Sequence, residues 1–310
     1  DEVLKQIKEL QPGEALVYDN EVLVANINME NFSLNQINKM TDITEKLLFI
    51  EKPTDIFSHN DFAINFDFEL VTRGKTSQEL SSTNGFIGEK ENLFIEEGAT
   101  IEFSTLNCKT GKIYIGKNAE IMEGSNIRGS LALCEDSKIN LGTKLYGGTT
   151  IGPHSKVGGE VNNIVIFGYS NKGHDGFLGN SVVGEWCNLG ADTNSSNLKN
   201  NYASVKLWNF RKKRFLDTGL QFCGLIMGDH SKTAINTQLN TGTIVGVASN
   251  IFKSGFPPNL VDSFSWGGMK GDEKFRLDKS YEVAEKAMER RKIPLTGADK
   301  DILKHIYNEF

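Results

Sequence analysis

From residue 115 the chain keeps a beat of six. It reads IGKNAE, IMEGSN, IRGSLA, LCEDSK, INLGTK, LYGGTT, IGPHSK, VGGEVN, so Ile115, Ile121, Ile127, Leu133, Ile139, Leu145, Ile151 and Val157 stand six apart among polar and small residues. The spacing returns at Val183 and Leu189, and again at Met227, Thr233, Leu239 and Val245. Six is neither the helical period nor the alternation of a half-buried strand. It fits a coil of short strands and sharp turns, three hexads to a circuit, whose first residues stack in one shared interior. Gly116, Gly152 and Gly184 follow the stacked position directly, and Ala119, Ser125, Ser137, Thr143 and Ser155 lie four places on. Both sets suit corners where a large side chain would collide or φ turns positive. The predicted fold class is therefore mainly β: a parallel β-helix solenoid over residues 91–270.

Another period governs the ends. The stretch EKPTDIFSHNDFAINFDFELVTRG predicts a connector and then an amphipathic helix with Phe62, Phe66 and Leu70 at helical spacing. Residues 271–310 predict two helices, one striped by Tyr281, Ala284 and Met288, the other opened by a Thr296 to Asp299 capping pattern and striped by Ile302, Ile306 and Phe310. They are expected to cap the solenoid or to pack on a neighbouring subunit.

Breaks in the beat are where a solenoid usually carries its function. One spans roughly residues 163–177 and contains SNKGHDGFLGN; the other, roughly 194–224, is too long for a tight corner and is expected to project. The second holds Trp208, Phe210 and the basic run RKKR at Arg211 to Arg214, a combination suited to an anionic planar ligand or to a solvated loop with an aromatic anchor.

Composition narrows the choice. With 38% hydrophobic and 24% charged residues, and no apolar run near the ~20 residues that cross a bilayer, a soluble cytoplasmic protein is expected. A net charge of −6 offers no general attraction for nucleic acid. Cys108, Cys134, Cys187 and Cys223 lie far apart without a CxxC pair, so reduced thiols and no metal site are expected. His154 and His230 fall at hexad corners and are expected at the surface, while His59 and His305 belong to no constellation.

Two segments carry a resemblance. SNKGHDGFLGNSVVGEWCNLGADTNSSN is similar to an S-x-x-G-H, L-G, N-[IL]-G-A-x-T stretch, and MGDHSKTAINTQL to a G-D…T-Q-L coil, of the bifunctional N-acetylglucosamine-1-phosphate uridylyltransferase and glucosamine-1-phosphate N-acetyltransferase family, in its divergent Bacteroidetes-type branch. The resemblance implies a left-handed hexapeptide-repeat β-helix, a homotrimer with sites at subunit boundaries, and an N-acetyltransferase that moves acetyl from acetyl-CoA to an amino-sugar phosphate. It implies His174 and Asn197 as catalytic positions, Asn197 being the asparagine that touches substrate. Phe177 stands where better-known members have tyrosine, and the coil from Val157 to Ile166 lacks their phosphate-holding lysine, which leaves Lys199, Lys206 or Arg211 as substitute ligands. Coenzyme A is expected along Ala234, Thr243, Val245 and Ala248. By the same resemblance residues 1–90 are a partial α/β segment, the remnant of a nucleotidyltransferase domain and its linker. LQPGEALVYDNEVLVANI holds one glycine and no phosphate cradle, so Mg²⁺ is expected only with a nucleotidyltransferase half that is incomplete here. The alternative reading is a sugar-phosphate nucleotidyltransferase whose β-helix serves mainly as an oligomerisation scaffold.

The chemistry agrees with the first reading. Acetyl transfer needs an unprotonated amine, and a histidine, with an ordinary pKa of about 6.5, can take that proton at neutral pH. Backbone N–H groups near Gly190 are candidates to hold the oxyanion.

Overall fold

Leu133 lies level with Ile115 in one rung and Ile151 in the next, eighteen residues away in each direction. Three hexads therefore make a circuit. Ile121, Ile139 and Val157 stack in the same way along another face, and Ile127 with Leu145 along a third. None of these aliphatics is more than 2% exposed. The interior is one continuous apolar column from Ile95 to Val261, and a parallel β-helix results because each rung buries its apolar residues only against its neighbours.

The structure, a computed structural model, describes residues 2–30, 33–45 and 47–309 and separates into two units, Asp1–Phe49 and Ile50–Phe310. The first unit holds helix α1 (Glu2–Glu9) and strands β1 (Glu14–Tyr18), β2 (Glu21–Ala25) and β3 (Lys39–Asp42). β1 is central, antiparallel to β2 and parallel to β3, with Ala15, Leu16 and Val17 buried.

The second unit is the solenoid, with rungs from Gly85–Ile87 to Trp266–Gly267. One face is a nine-stranded sheet; the other two form a single fifteen-stranded sheet, because strands Glu160–Ile166 and Phe177–Val183 run unbroken across the corner between them. The expected break at residues 163–177 is thus a change of beat within the coil. Inward positions fall at Val157, Val161, Ile166, Lys172 and Leu178, at spacings that shrink to four and five. The later break does leave the coil. Its hairpin, Lys206–Asn209 with Arg214–Asp217, folds back through Val205, Leu207 and Cys223 onto Val182, Ile244 and Phe57.

Helices α2 (Pro53–Ser58) and α3 (Asn60–Thr72) lie on the same face. Asn60 donates to the Gly148 carbonyl at 2.8 Å and accepts from the Thr150 hydroxyl at 2.8 Å, while Asn65 donates to Ser130 Oγ at 2.7 Å and accepts from the Lys112 amide at 3.0 Å. Roughly one helical turn serves each rung. These bonds choose the buried stripe, Asn60, Ile64 and Phe68. The expected stripe is on the opposite side: Phe62, Phe66 and Leu70 are 58, 68 and 57% exposed, because residues two places from a contact point away from it on a helix.

Each circuit also passes a left-handed residue at one corner: Asn118, Asp136, His154, Tyr169, Trp186, His230, Ala248 and Phe264. Gly116 and Gly152, by contrast, are needed for close approach. A Cβ on Gly116 would sit 2.7 Å from the Glu135 nitrogen, and one on Gly152 2.8 Å from the Ile166 oxygen. The histidines at this corner are therefore parts of a ladder, not free surface groups. His154 stacks on Tyr169, Tyr169 on Trp186 and Trp186 on His230.

Helices α4 (Leu277–Glu289) and α5 (Gly297–Glu309) close over this corner of their own solenoid. Ala284, Met288 and Leu295 cover Trp186, and Leu303 joins Ala248, Phe264 and Phe275. The capping pattern holds, since the Thr296 amide donates to Asp299 Oδ2 at 2.8 Å and the Asp299 amide to Thr296 Oγ1 at 3.2 Å. In α5 the buried residue is Leu303, with Ile302 exposed; Phe310 lies outside the described residues. All four cysteines are free thiols. Among the described residues no helix is long and apolar enough to cross a membrane.

Candidate active site at the Gly173–Gly176 corner

The change of beat makes a notch. In the rungs below, the corner between the nine-stranded face and the next strand takes four residues, as in Asn140 to Thr143. Between Val157 and Glu160 only Gly158 and Gly159 remain. The next rung restores four residues, Gly173 to Gly176, and they settle onto the two glycines. A Cβ on Gly158 would fall 2.6 Å from the Gly173 oxygen, and one on Gly159, where φ is +76, 2.8 Å from Asp175 Cα. Below the overhang runs a groove of ≈ 470 Å³ lined by Met122, Lys138, Asn140, Lys156, His174 and Asp175 among others.

The carbonyls of this turn are all held. Asn140 Nδ2 donates to the Gly173 oxygen at 2.7 Å, Lys172 Nζ to the oxygens of His174 and Asp175, the Asp192 amide to the Asp175 oxygen at 3.0 Å and the Glu160 amide to the Gly176 oxygen at 3.2 Å. His174 and Asp175 are exposed, and no described residue bonds to the imidazole. Asp175 does not orient it. The site thus presents a backbone held by hydrogen bonds with an unengaged ring at a groove edge. Two lysines lie in register along the groove: Lys138, which pairs with Glu120, and Lys156.

Around the corner Phe177 and Asn197 meet. A Cβ on Gly179 would come 2.6 Å from the Phe177 ring and 2.6 Å from Asn197 Nδ2, so both side chains lie over that glycine. Asn197 donates to Asn180 Oδ1 at 2.8 Å, and Asn180 in turn donates to the Asn163 amide oxygen at 2.9 Å once that amide is oriented to satisfy its neighbours. No described hydrogen bond or ring contact joins this asparagine ladder to His174.

Residues 1–76 match the sugar nucleotidyl transferase family. Over 144 residues the chain is 35% identical to a bifunctional sugar-1-phosphate nucleotidylyltransferase/acetyltransferase of Sulfurisphaera tokodaii, covering 46% of this chain and 35% of that protein. Over 87 residues it is 34% identical to the bifunctional protein GlmU of Methanocaldococcus jannaschii, covering 28% of this chain and 21% of that one. Over these stretches the chain is similar to bifunctional nucleotidylyltransferase/acetyltransferases. It spans about a third or less of the relatives' length. The solved structure of the polySia-specific acetyltransferase NeuO aligns over 69% of this chain and 98% of its own at 11% identity and a TM-score of 0.29.

In this chain the expected ligand residues scatter. Lys199 donates to the Ser204 carbonyl at 2.6 Å and so braces its own loop. Lys206 and Arg211 are exposed on the hairpin, outside the groove lining at His174, and Trp208 packs edge-on against Phe215 at 5.3 Å as the hairpin's anchor. The coenzyme positions need correcting. Val245 points into the prism, the buried Thr243 hydroxyl donates to the Asn240 carbonyl at 2.8 Å, and Ala248 lies beneath α5. Only Ala234 is partly accessible, so these four do not form a coenzyme A groove. The Gly190 amide is likewise spent, on the Thr233 oxygens at 3.0 and 3.1 Å.

Lys172 escaped the sequence reading. It is level with Val157 and occupies an inward place at 2% exposure. Burial lowers its pKa to about 8, against the pull of Asp175 and Asp192. Its signal was available as a lysine six residues after Ile166 and six before Leu178.

Proposed function

We propose that this chain carries the acetyl-transfer half of a bifunctional enzyme, an acyl-CoA-dependent N-acetyltransferase whose acceptor is an amino-sugar phosphate of the glucosamine-1-phosphate class. The observation that carries this reading is the rigid, overhanging turn with the His174 imidazole unengaged above a groove. In the reaction the acceptor nitrogen attacks the thioester carbonyl carbon while His174 takes the nitrogen's proton; the carbonyl re-forms and the thiolate leaves, to be protonated as free coenzyme A. The thioester is already activated, so no covalent enzyme intermediate is required. Phe177 and Asn197 offer an apolar wall and an amide for the sugar. In the full assembly the chain acts as a homotrimer, with residues 91–270 as the transferase, 271–310 as a clamp on its corner, and 1–90 as the end of a nucleotidyltransferase domain.

The test is release of free thiol from acetyl-CoA in the presence of glucosamine 1-phosphate. Wild type is expected to turn over, and His174→Ala to lose at least about 10²-fold in kcat; equal rates overturn the assignment. The match of residues 1–76 to a sugar nucleotidyl transferase family favours a second reading, in which the solenoid only assembles a pyrophosphorylase. Absent acetyl transfer together with nucleotide-sugar synthesis by a longer chain would select it.

A further inference from the structure

An ammonium inside an apolar prism needs a reason. The rungs below and above place Val157 and Leu189 at the position of Lys172, and any aliphatic side chain there would complete the stack. Burying a charge in such a column is costly unless hydrogen bonds satisfy it. Lys172 meets that condition by extending its stem along the interior and delivering Nζ to two successive carbonyls, those of His174 and Asp175. No other side chain among the described residues reaches either oxygen. The Asn140 amide fixes the preceding carbonyl, that of Gly173. The Asp192 amide also holds the Asp175 oxygen, at 3.0 Å, but the His174 oxygen has Lys172 as its one donor among the described residues; with Gly173 before it and Gly176 two places on, the backbone at His174 would otherwise be free to reorient, since glycine restrains φ least.

We propose that Lys172 is a positioning residue: from inside the prism it locks the backbone of His174, so that the imidazole stands over the notch instead of sampling the surface. Its catalytic consequence rests on the acetyl-transfer reading above. The lock itself does not.

The experiment compares wild type with Lys172→Met, which fills the same space with an apolar chain and leaves the stack intact. The first readout is ¹⁵N relaxation at the His174 amide, where the order parameter is expected to fall from about 0.85 to below about 0.6 while the rungs below keep theirs. The second is steady-state kinetics with acetyl-CoA and glucosamine 1-phosphate: kcat is expected to fall at least tenfold, with KM for acetyl-CoA within twofold. Met and wild type with the same His174 order parameter overturn the lock, whatever the turnover. A loosened turn with unchanged kcat overturns its catalytic role. Wild type without turnover overturns the acetyl-transfer reading instead, and the relaxation comparison still decides whether Lys172 holds the turn.

Discussion

The indole of Trp186 lies flat on the phenol ring of Tyr169, centroids 4.2 Å apart and planes 7° from parallel. Both residues have positive φ, 59° and 60°, a conformation that bulky L-residues rarely adopt. The corner tolerates them because rings on successive rungs stack and α4 covers the stack. Trp186→Ala removes the middle of that column and is expected to cost about 3 kcal/mol. A denaturation midpoint that does not move would show that the stack contributes nothing to stability.

The next ring up reports on pH. Burial lowers the His230 pKa to about 4, with Lys232 acting in the same direction and Asp299 opposing, and its Nδ1 has no partner. The folded value lies below the unfolded one, so the unfolded chain takes up a proton first as pH falls. Stability is full above about pH 6.5 and declines toward pH 4, by up to about 3 kcal/mol. Thermal melts at pH 7 and pH 5 are expected to separate more for wild type than for His230→Gln.

Lys172 acts in the same sense in an alkaline window. Its folded pKa of about 8 lies below the ordinary value of about 10.4, so wild-type stability rises with pH between the two. Lys172→Met is expected to be more stable than wild type at pH 7 by about 2 kcal/mol, and the gap to narrow by pH 9.5. A constant gap across that range would mean the ammonium carries no burial cost.

Gly159 is the floor of the notch. At φ +76, with the Gly176 oxygen 2.8 Å from where a Cβ would stand, Gly159→Ala is expected to lift the His174 turn. Acetyl transfer should fall at least about tenfold, a shift of about 1.4 kcal/mol in the barrier, while the β circular dichroism of the solenoid is retained.

The helix α3 offers a paired comparison. Phe68 is buried beneath the Lys112 ammonium, 4.9 Å from its ring centroid, whereas Phe66 faces outward. Phe68→Ala is expected to cost about 3 kcal/mol and Phe66→Ser less than about 0.5 kcal/mol, measured by urea unfolding. The reverse order would restore the stripe that periodicity alone suggested.

That reversal marks where pattern reading stops. Phe62, Phe66 and Leu70 have the spacing of a buried face, yet Asn60 and Asn65 decide which side docks, through bonds to residues 148, 150, 130 and 112 that no local window contains. Likewise Val245 is among the four positions expected along coenzyme A, although the hexad rule itself puts it inside with Leu145 and Ile151.

The amino-acid sequence alone determined the three-hexad circuit, its stacked interior and the histidine at its irregular corner, because a repeat that pairs only with its neighbours writes its geometry into its own period. The tertiary structure decided the rest: that a two-residue shortening at Gly158 and Gly159 becomes a notch under His174, that Lys172 turns inward to hold the turn above it, and that His154 and His230 stack beneath the closing helices. Those outcomes depend on which rung lies above which and on how buried polar atoms find partners, relationships set by residues far apart along the chain.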